Sequence, residues 1–547
     1  MVLPTLFWPR DVAINDDDEY YGWKDPNLCV IGKLENPSLL KDVLRRPQCE
    51  TLTATCGMPV PLGPLDLTQH NVVYYHRHSP TSLRFYRLEY QLSGQASPWQ
   101  PQREFWPPAR SSGVNHTVIE QFNAAKTIDL LLHPPATRLA LDTTSFWKAF
   151  DASWIYFSSL LLFLSRTLYF VSGLYIPFDY DMRLKDVSAT FQQLDVRAEQ
   201  AAFFVKEVKP LRQRGLSSVP VFSSRYTTFF NAIWLVLNDM TIGSAFGTFL
   251  CENHGPLASM LDHTITAVLI NWMQWMLHWL DAWPAGLKLN TELSRFYSRT
   301  LVELVGMWGD ILHVASPHLP KLVYAMGIAS YIGGFTMLLS LASDLLAIGT
   351  MHIYVAYTLS NFVYARFLTT FGSLWRLFRG KRFNVLRNRT DPWAYDIDQL
   401  LFGTILFTLV AFLFPTVFAY YALFAVMRFV TILLQATLET ALAFMNHFPL
   451  FALMQRLKDP WRLPGGIYLD IAEEGTCANN IEKQYRITVE SQPVSFGAIF
   501  FQYGRLLGRL GTHYNPLRLL WKLMSGQLVR PIERYEIRYS GVGGSKS

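Results

Sequence analysis

Residues 400–453 read LLFGTILFTLVAFLFPTVFAYYALFAVMRFVTILLQATLETALAFMNHFPLFAL. A helix of about 20 residues, rising about 1.5 Å per residue, already covers the roughly 30 Å hydrocarbon core of a bilayer. This stretch is far longer, and it contains Pro415 and Arg428. We therefore interpret it as two antiparallel membrane-spanning helices.

Four further apolar segments precede that stretch. They are Tyr226–Leu250, the Trp-rich Ile265–Trp283, Leu322–Leu341 and Leu345–Phe371, of which the last two also read as one hairpin interrupted around Ser343 and Asp344. The whole chain is 50% hydrophobic and 16% charged, whereas soluble domains carry roughly 25% charged residues. The predicted fold class is mainly α, a polytopic helical membrane protein with about six spans.

The segment Trp154–Ile176 is long enough to span but has Arg166 at its centre. An arginine in the middle of a span costs at least ~2.5 kcal/mol. We therefore interpret the segment as an interfacial helix rather than a span. The charged segment Asp181–Arg214 that follows has a helical pattern and is expected in water or among lipid headgroups.

These segments predict four regions along the chain. Residues 1–150 form a small mixed α/β soluble region, 151–221 interfacial and amphipathic helices, 222–455 the membrane domain and 456–547 a cytosolic C-terminal region. In the first region, alternation in Val72–Tyr75 and Leu83–Leu88 predicts a β-hairpin. The N-terminus lacks the pattern of a cleaved signal peptide, so we expect a membrane helix to direct insertion.

A basic loop sets the predicted orientation. It holds six cations without an intervening acid: Arg376, Arg379, Lys381, Arg382, Arg387 and Arg389. Short loops rich in Lys and Arg stay cytosolic. The segment Lys288–Lys321 and the tail from Arg456 are also basic, so an even number of spans places these segments and both termini in the cytosol.

The cysteines and the net charge argue against a disulfide-rich, zinc-binding or nucleic-acid-binding protein. Five cysteines are widely spread in the chain, at Cys29, Cys49, Cys56, Cys251 and Cys477, a pattern that predicts neither a disulfide framework nor a zinc site. The formal net charge is only +6. Because the cations stand beside apolar runs, they favour contact with a membrane surface over nucleic acid.

One run of sequence resembles a known family. It starts with the basic VLRNRTD at 385–391, continues with YDIDQLLFGT at 395–404 and ends with PTVFAYY at 415–421. This run resembles the signature of the phosphatidylinositol glycan class Q family. Two shorter stretches agree with that family, PAGLKLN at 284–290 and a terminal Gly526-Gln527-Leu528 followed by Pro531. The resemblance covers roughly residues 220–535.

The resemblance implies a function. Members of this family are accessory subunits of the endoplasmic reticulum complex that transfers N-acetylglucosamine from UDP-GlcNAc to phosphatidylinositol, the first step of glycosylphosphatidylinositol (GPI) anchor synthesis. A different subunit performs the transfer. The resemblance therefore implies a non-catalytic stabilising subunit whose partners are the catalytic glycosyltransferase subunit and other small membrane subunits.

The residues themselves offer no convincing catalytic centre. Asp-x-Asp pairs, which can hold a divalent cation on a diphosphate, occur at 16/18, 179/181 and 396/398, and Glu482 and Glu490 have a spacing found in some retaining glycosyltransferases. The terminal GVGGSKS departs from a phosphate-binding loop, and the histidines at 76, 78, 313 and 318 form no motif. We expect no catalytic, metal-binding or cofactor-binding residue.

The basic loop is the preferred candidate for contact with a partner or with membrane lipid, phosphatidylinositol included. Besides its six cations, the predicted surface contains Asp391, Tyr395, Asp396 and Asp398. Asp396 and Asp398 precede a membrane helix, where carboxylates complement the positive helix N-terminus by ~0.3–1 kcal/mol, and they are expected to pair with Arg387 and Arg389. Metal binding and partner contact are the alternatives.

Other polar residues lie within the apolar segments. They are Asn231, Asn238, Asp239, Asp344, Arg428, Glu439 and Asn446. Such side chains are expected to face other helices, a partner or water because lipid solvates them poorly. Gly243 and Gly247 form a small-residue ridge that permits close helix packing, within the chain or with a partner.

Two rival functions belong to other classes. A lipid transporter or scramblase would also be polytopic with intramembrane charges, but should show two similar halves. A membrane-embedded lipid transferase should bring a His or carboxylate constellation to one depth, and Asp239, Asp344 and Glu439 are scattered in sequence.

Overall fold

The structure is a computed structural model of the full chain. It describes all residues except 1–3, 16–17, 35–39, 41–52, 55, 64, 66–68, 81, 88–114, 134–143, 177–178, 213–218, 283–288, 385–387, 475–483, 501–503, 505–506, 509–510, 513–514, 526 and 528–547. The chain is mainly helical with an N-terminal mixed sheet region, as predicted.

A seven-stranded mixed sheet has the order β10-β11-β5-β1-β3-β2-β4. Its strands are β1 Thr5–Pro9, β2 Tyr20–Trp23, β3 Leu28–Lys33, β4 Val60–Gly63, β5 Asn71–Tyr75, β10 Pro464–Glu474 and β11 Gln484–Pro493. Two small hairpins are formed by β6 Tyr175–Ile176 with β7 Asp179–Arg183, and by β8 Lys381–Asn384 with β9 Arg389–Pro392.

The predicted N-terminal hairpin is wrong. β5 forms as expected, but it pairs in parallel with β1 and β11, and residues 83–87 contain no strand. The backbone of Tyr86 is satisfied by a side chain instead, because the Asn123 amide accepts from its N–H at 2.8 Å and donates to its carbonyl at 2.9 Å. Alternation identified the strand but not its partners.

The sheet also joins the two ends of the chain. β10 and β11 form an antiparallel hairpin, and β11 adds to the edge of β5. Residues 1–150 and 456–547, which the sequence presents as two regions, therefore contribute to one body. Helix α1 (His116–Leu132) packs on one face of this sheet, where Phe122 stacks on Tyr75 with ring centroids 4.4 Å apart.

The remaining helices follow in chain order. They are α2 Thr144–Ser172, α3 Leu184–Val187, α4 Ala189–Arg212, α5 Val219–Glu252, α6 His254–Thr264, α7 Trp272–Asp281, α8 Thr291–Ala315, α9 Leu319–Gly333, α10 Phe335–Gly349, α11 Met351–Phe378, α12 Ile397–His447, α13 Leu450–Lys458, α14 Phe496–Ile499 and α15 Pro516–Met524. A π-helical turn, Ile265–Asn271, links α6 to α7.

The described residues contain three helices long and apolar enough to cross a membrane, or four if the bent pair α10–α11 is one span. The three are Trp154–Ser172 in α2, Phe222–Glu252 in α5, and the whole of α12. The predicted count of six is not confirmed. The segment with Arg166 at its centre, interpreted as interfacial, meets the length and composition of a span.

The expectation of two antiparallel helices in 400–453 is wrong. α12 is one helix of 51 residues that continues through Pro415. Reversing the chain direction requires a turn, and turns are rich in Gly, Asn, Asp and Pro. Pro415 alone removes one backbone donor without ending the helix. The stretch 400–453 is long enough for two helices, but no turn divides α12.

Glycines set the contact between α5 and the α9–α10 junction. A Cβ on Gly243 would lie 2.6 Å from the backbone of Phe335, and one on Gly247 would lie 2.9 Å from the carbonyl oxygen of Gly327. Gly334 connects α9 to α10 with φ +86°, a conformation that favours glycine. The predicted small-residue ridge thus packs within the chain.

Candidate functional site

The basic loop folds into a β-hairpin between helices α11 and α12. We call residues 376–398 the basic tip. β8 and β9 pair from Lys381–Pro392 to Asn384–Arg389, and Gly380, with φ +63°, turns the chain out of α11. Arg387 lies outside the described residues. The tip is therefore a short extended projection between the end of α11 and the start of α12.

Two of the tip's cations lie against aromatic rings. The guanidinium of Arg382 lies 4.8 Å from the ring centroid of Trp393, and that of Arg376 lies 5.4 Å from the ring of Phe383. Cation–π contacts at exposed sites contribute ~0.5–1 kcal/mol each. They orient the guanidinium groups without neutralising them, so the tip presents positive charge outward.

The acidic residues of the tip do not all pair as expected. Arg389 pairs with Asp391, with Nε and Oδ1 2.8 Å apart, rather than with the carboxylates at the start of α12. Asp396 is the N-cap residue of α12 and Asp398 lies in its first turn, where negative charge complements the helix dipole. The hydroxyl of Tyr395 donates to the carbonyl of Lys381 at 3.3 Å and closes the base of the hairpin.

Exposed aromatic and apolar side chains surround the tip. Trp375, Phe378 and Trp393 are all exposed, and Phe402, one turn into α12, is 70% exposed. Aromatic rings beside cations at the end of an apolar helix are typical of the membrane–water interface. The tip is therefore an exposed surface on which cations and aromatic rings alternate.

The three stretches that carry the family resemblance converge in space. The Thr416 hydroxyl accepts a hydrogen bond from the backbone N–H of Asn290 at 2.9 Å. The Tyr421 hydroxyl donates to the carbonyl of Leu523, and Tyr357 on α11 donates to the carbonyl of Gln527 at 3.4 Å. Thr416 and Tyr421 therefore connect the middle of α12 to the start of α8 and to the C-terminal helix α15.

The sequence did not predict this convergence. Tyr420 adds to it by contacting the Ser294 hydroxyl at 2.9 Å on α8. Hydroxyl groups inside an apolar run need partners when buried, and the run PTVFAYY contains three of them. These three hydroxyl groups were the sequence signal for buried hydrogen bonds, although the sequence did not indicate their partners.

A buried polar cluster links α4, α5, α10 and α12. Asp239, which is 2% exposed, forms an ion pair with Arg197 and accepts hydrogen bonds from the backbone N–H and the hydroxyl of Thr336 at 2.9 and 2.8 Å. Gln193 donates to the same hydroxyl at 2.8 Å and exchanges hydrogen bonds with Asn446. Residues from four helices thus share one network.

A second carboxylate caps the same polar helix. Asp344 on α10 accepts hydrogen bonds from Ser188 and from the backbone N–H groups of Ala189 and Thr190, at 2.8 and 3.0 Å for the last two. Helix α4 was expected in water or among headgroups, but the structure packs it against α2, α5 and α10. Its polar side chains satisfy carboxylates that lipid could not solvate.

The other candidate residues stay apart. Glu490 lies 3.6 Å from His76 in the sheet, while Glu482, Asp16 and residues 541–547 lie outside the described residues. Burial, with His76 and Arg84 nearby, lowers the pKa of His78 to about 4. Within the part of the chain that the structure describes, no group of three or more His, Cys, Asp or Glu is arranged to hold a metal ion.

Comparison with known proteins gives a consistent result. Residues 191–465 match the family described as N-acetylglucosaminyl transferase component (Gpi1). The chain is 34% identical over 403 residues to the N-acetylglucosaminyl-phosphatidylinositol biosynthetic protein gpi1 of Schizosaccharomyces pombe, covering 73% of this chain and 61% of the relative. It is 33% identical over 385 residues to the phosphatidylinositol N-acetylglucosaminyltransferase subunit GPI1 of Saccharomyces cerevisiae, covering 66% and 62%.

A mammalian relative agrees. The phosphatidylinositol N-acetylglucosaminyltransferase subunit Q of Mus musculus is 33% identical over 310 residues, covering 56% of this chain and 52% of the relative. The chain spans about three fifths of the length of the two yeast relatives, 61% and 62%. No solved structure matches the chain. The match to the family model contains the polar cluster, the basic tip and the whole of α12, and the chain belongs to the Gpi1 family of N-acetylglucosaminyl transferase components.

Proposed function

We propose that this chain is a non-catalytic stabilising and assembly subunit of an endoplasmic reticulum membrane complex that transfers N-acetylglucosamine from UDP-GlcNAc to phosphatidylinositol. The transfer is the first step of GPI-anchor synthesis. The names of the relatives support this, since two are called subunits of phosphatidylinositol N-acetylglucosaminyltransferase. The catalytic glycosyltransferase subunit and other small membrane subunits are the partners.

One observation carries the assignment of a structural role. Two carboxylates of the helical bundle join helices, since the buried Asp239 binds Arg197 and Thr336 and the half-buried Asp344 caps α4. A catalytic carboxylate needs access to a substrate, whereas Asp239 is 2% exposed and Asp344 accepts three hydrogen bonds from the start of α4. Their chemistry fixes how α4, α5 and α10 pack, which is the task of a subunit that organises others.

The chain alone should therefore not perform the transfer. The test is to purify the full chain in mild detergent, alone and after co-expression with its bound partners, and to measure transfer from labelled UDP-GlcNAc to phosphatidylinositol. We expect turnover only in the preparation that contains a glycosyltransferase with a nucleotide-sugar fold. Turnover by a preparation that mass spectrometry shows to lack other subunits would contradict the proposal.

The basic tip is the proposed contact surface of this subunit. Two of its cations, Arg382 and Arg376, lie against Trp393 and Phe383, and each Lys or Arg near an anionic membrane surface contributes ~1 kcal/mol. The alternative occupant is an acidic face of the catalytic partner. The two occupants differ in which cations they require.

Charge reversal separates them. One variant reverses Arg376, Arg379 and Lys381, at the lipid-proximal end, and a second reverses Arg387 and Arg389, inside the family signature. If a protein partner binds here, the second variant should lower complex recovery and transferase activity more than the first. The matched control exchanges Arg389 and Asp391, which preserves their ion pair and the net charge. Equal and small effects of both reversals would refute a contact role.

A further inference from the structure

The length of α12 bears on how the chain crosses the membrane. The helix has 51 residues without interruption, so it is about 76 Å long. A bilayer with its headgroups is about 40–45 Å thick. A continuous helix that crosses once emerges with its two ends on opposite sides.

The N-terminal half of α12 is the part suited to lipid. Residues 399–427 contain no Asp, Glu, Lys or Arg, a length of about 43 Å, and Leu401, Phe402, Leu409 and Phe412 are exposed along it. The C-terminal half carries two charged residues, Arg428 and Glu439. The uncharged half therefore matches one membrane crossing.

Helix α11 runs antiparallel to this half. Leu377 lies against Gly403, Phe371 lies 5.0 Å from Phe407, and Tyr364 stacks on Tyr421 at 4.1 Å. Arg366 on α11 is exposed, at a cost of ~2.5–3.5 kcal/mol in a span. The crossing does not depend on α11, however, because α12 contains enough uncharged residues by itself. The pair forms a helical hairpin with the basic tip at its end.

The sheet lies at the other end of α12. Residues 448–463 join the helix to β10 and include α13, so they reach at most about 40 Å. α13 packs against the N-terminal half of α5, where the Asn231 side chain accepts a hydrogen bond from the backbone N–H of Phe451 at 3.1 Å. Arg84 then binds Asp459 at 3.1 Å and fixes the connection to the sheet. Among the described elements, β8 and β9 pack mainly on each other and on α11.

We infer that the basic tip and the seven-stranded sheet lie on opposite sides of the membrane. This differs from the orientation that the sequence predicts, in which an even number of spans places the tip and both termini in the cytosol. That parity required two helices in 400–453, and α12 supplies one. A soluble partner in one compartment can thus contact either the tip or the sheet, but not both.

The test is cysteine accessibility in sealed microsomes carrying the full chain with its complex. Lys381→Cys and Thr390→Cys report on the tip, while Ile14→Cys and Met58→Cys report on the sheet. All four positions are exposed. The unsubstituted chain gives the baseline for the five native cysteines, of which Cys29 and Cys56 are buried and Cys251 is half-buried. A membrane-impermeant maleimide is added before or after permeabilisation with detergent.

We expect one pair to label fully in sealed vesicles and the other pair to gain labelling several-fold on permeabilisation. Either pair in either role supports the inference, because the claim concerns relative placement. Equal behaviour of all four positions would overturn it. Each variant must first elute from size-exclusion chromatography like the unsubstituted chain, and agreement between the two positions of a pair shows that the substitution itself is not the cause. The outcome is independent of whether the complex transfers N-acetylglucosamine.

Discussion

Removing one partner of the ion pair between Asp239 and Arg197 should destabilise the packing of α4 against α5 by several kcal/mol. Asp239 is 2% exposed and accepts from Arg197 and twice from Thr336. Removing one partner of a buried pair leaves the other charge uncompensated and costs ~3–5 kcal/mol. That corresponds to about a hundredfold to a few thousandfold change in the ratio of folded to unfolded chain.

The two single variants should differ. Asp239→Leu leaves the Arg197 guanidinium without its carboxylate and should cost the full amount. Arg197→Met should cost less, because Thr336 still donates two hydrogen bonds to Asp239. The double variant Arg197→Met, Asp239→Leu should be more stable than Asp239→Leu alone, since replacing a whole buried pair by apolar residues is often neutral or stabilising.

The measurement is resistance to heating in detergent. Each variant is heated in steps, and the fraction that remains monodisperse is determined by size-exclusion chromatography. The four forms compose a double-mutant cycle, whose non-additivity isolates the pair. Single variants that melt within a degree or two of the unsubstituted chain, with additive effects, would refute the reasoning that this pair holds α4 in the bundle.

Three further predictions use other features. Gly334→Ala should destabilise the chain by ~1–3 kcal/mol or more, because the φ of +86° disfavours a side chain and the new Cβ would collide with the carboxylate of Asp239. Gly349→Ala is the control and should be neutral in the same melting assay, since a Cβ there meets open space. Because burial holds the folded-state pKa of His78 at about 4 against 6.5, the unfolded chain binds more protons between these values and stability should fall as pH drops through that window; His78→Gln should flatten this part of the profile. The sequons at Asn115 and Asn388 lie on the two bodies placed on opposite sides, so endoglycosidase treatment should never reveal glycan on both, and a mass shift that needs both asparagines would contradict the placement.

Local sequence patterns predicted where strands and helices lie better than they predicted which elements pair with one another. Alternation located β5 but paired it with residues 83–88, because nothing local distinguishes a hairpin partner from a distant parallel strand. Hydropathy located α5 and α12, yet divided α12 in two. Continuity of a helix depends on whether a turn interrupts it, and an apolar run of this length is compatible with either arrangement.

For the basic tip, too, the sequence identified the residues but not the contacts between them. The six cations and the carboxylates of the tip were evident from composition, but the pairing of Arg389 with Asp391 and the stacking of Arg382 on Trp393 depend on hairpin register. A shift of one residue would place these side chains on the other face. The polar cluster was foreseen only as a need for partners, because Asp239 and Arg197 lie far apart in the chain.

The amino-acid sequence alone established the class of the protein and its family. Both depend on local information, since hydrocarbon selects long apolar helices whatever their neighbours and the signature at 385–421 is contiguous. Only the tertiary structure joined the chain ends in one sheet, brought Asn290, Thr416 and Gln527 to one region, and placed the basic tip at the far end of α12 from that sheet. These arrangements arise from contacts between residues distant in sequence, which packing and buried hydrogen bonds select.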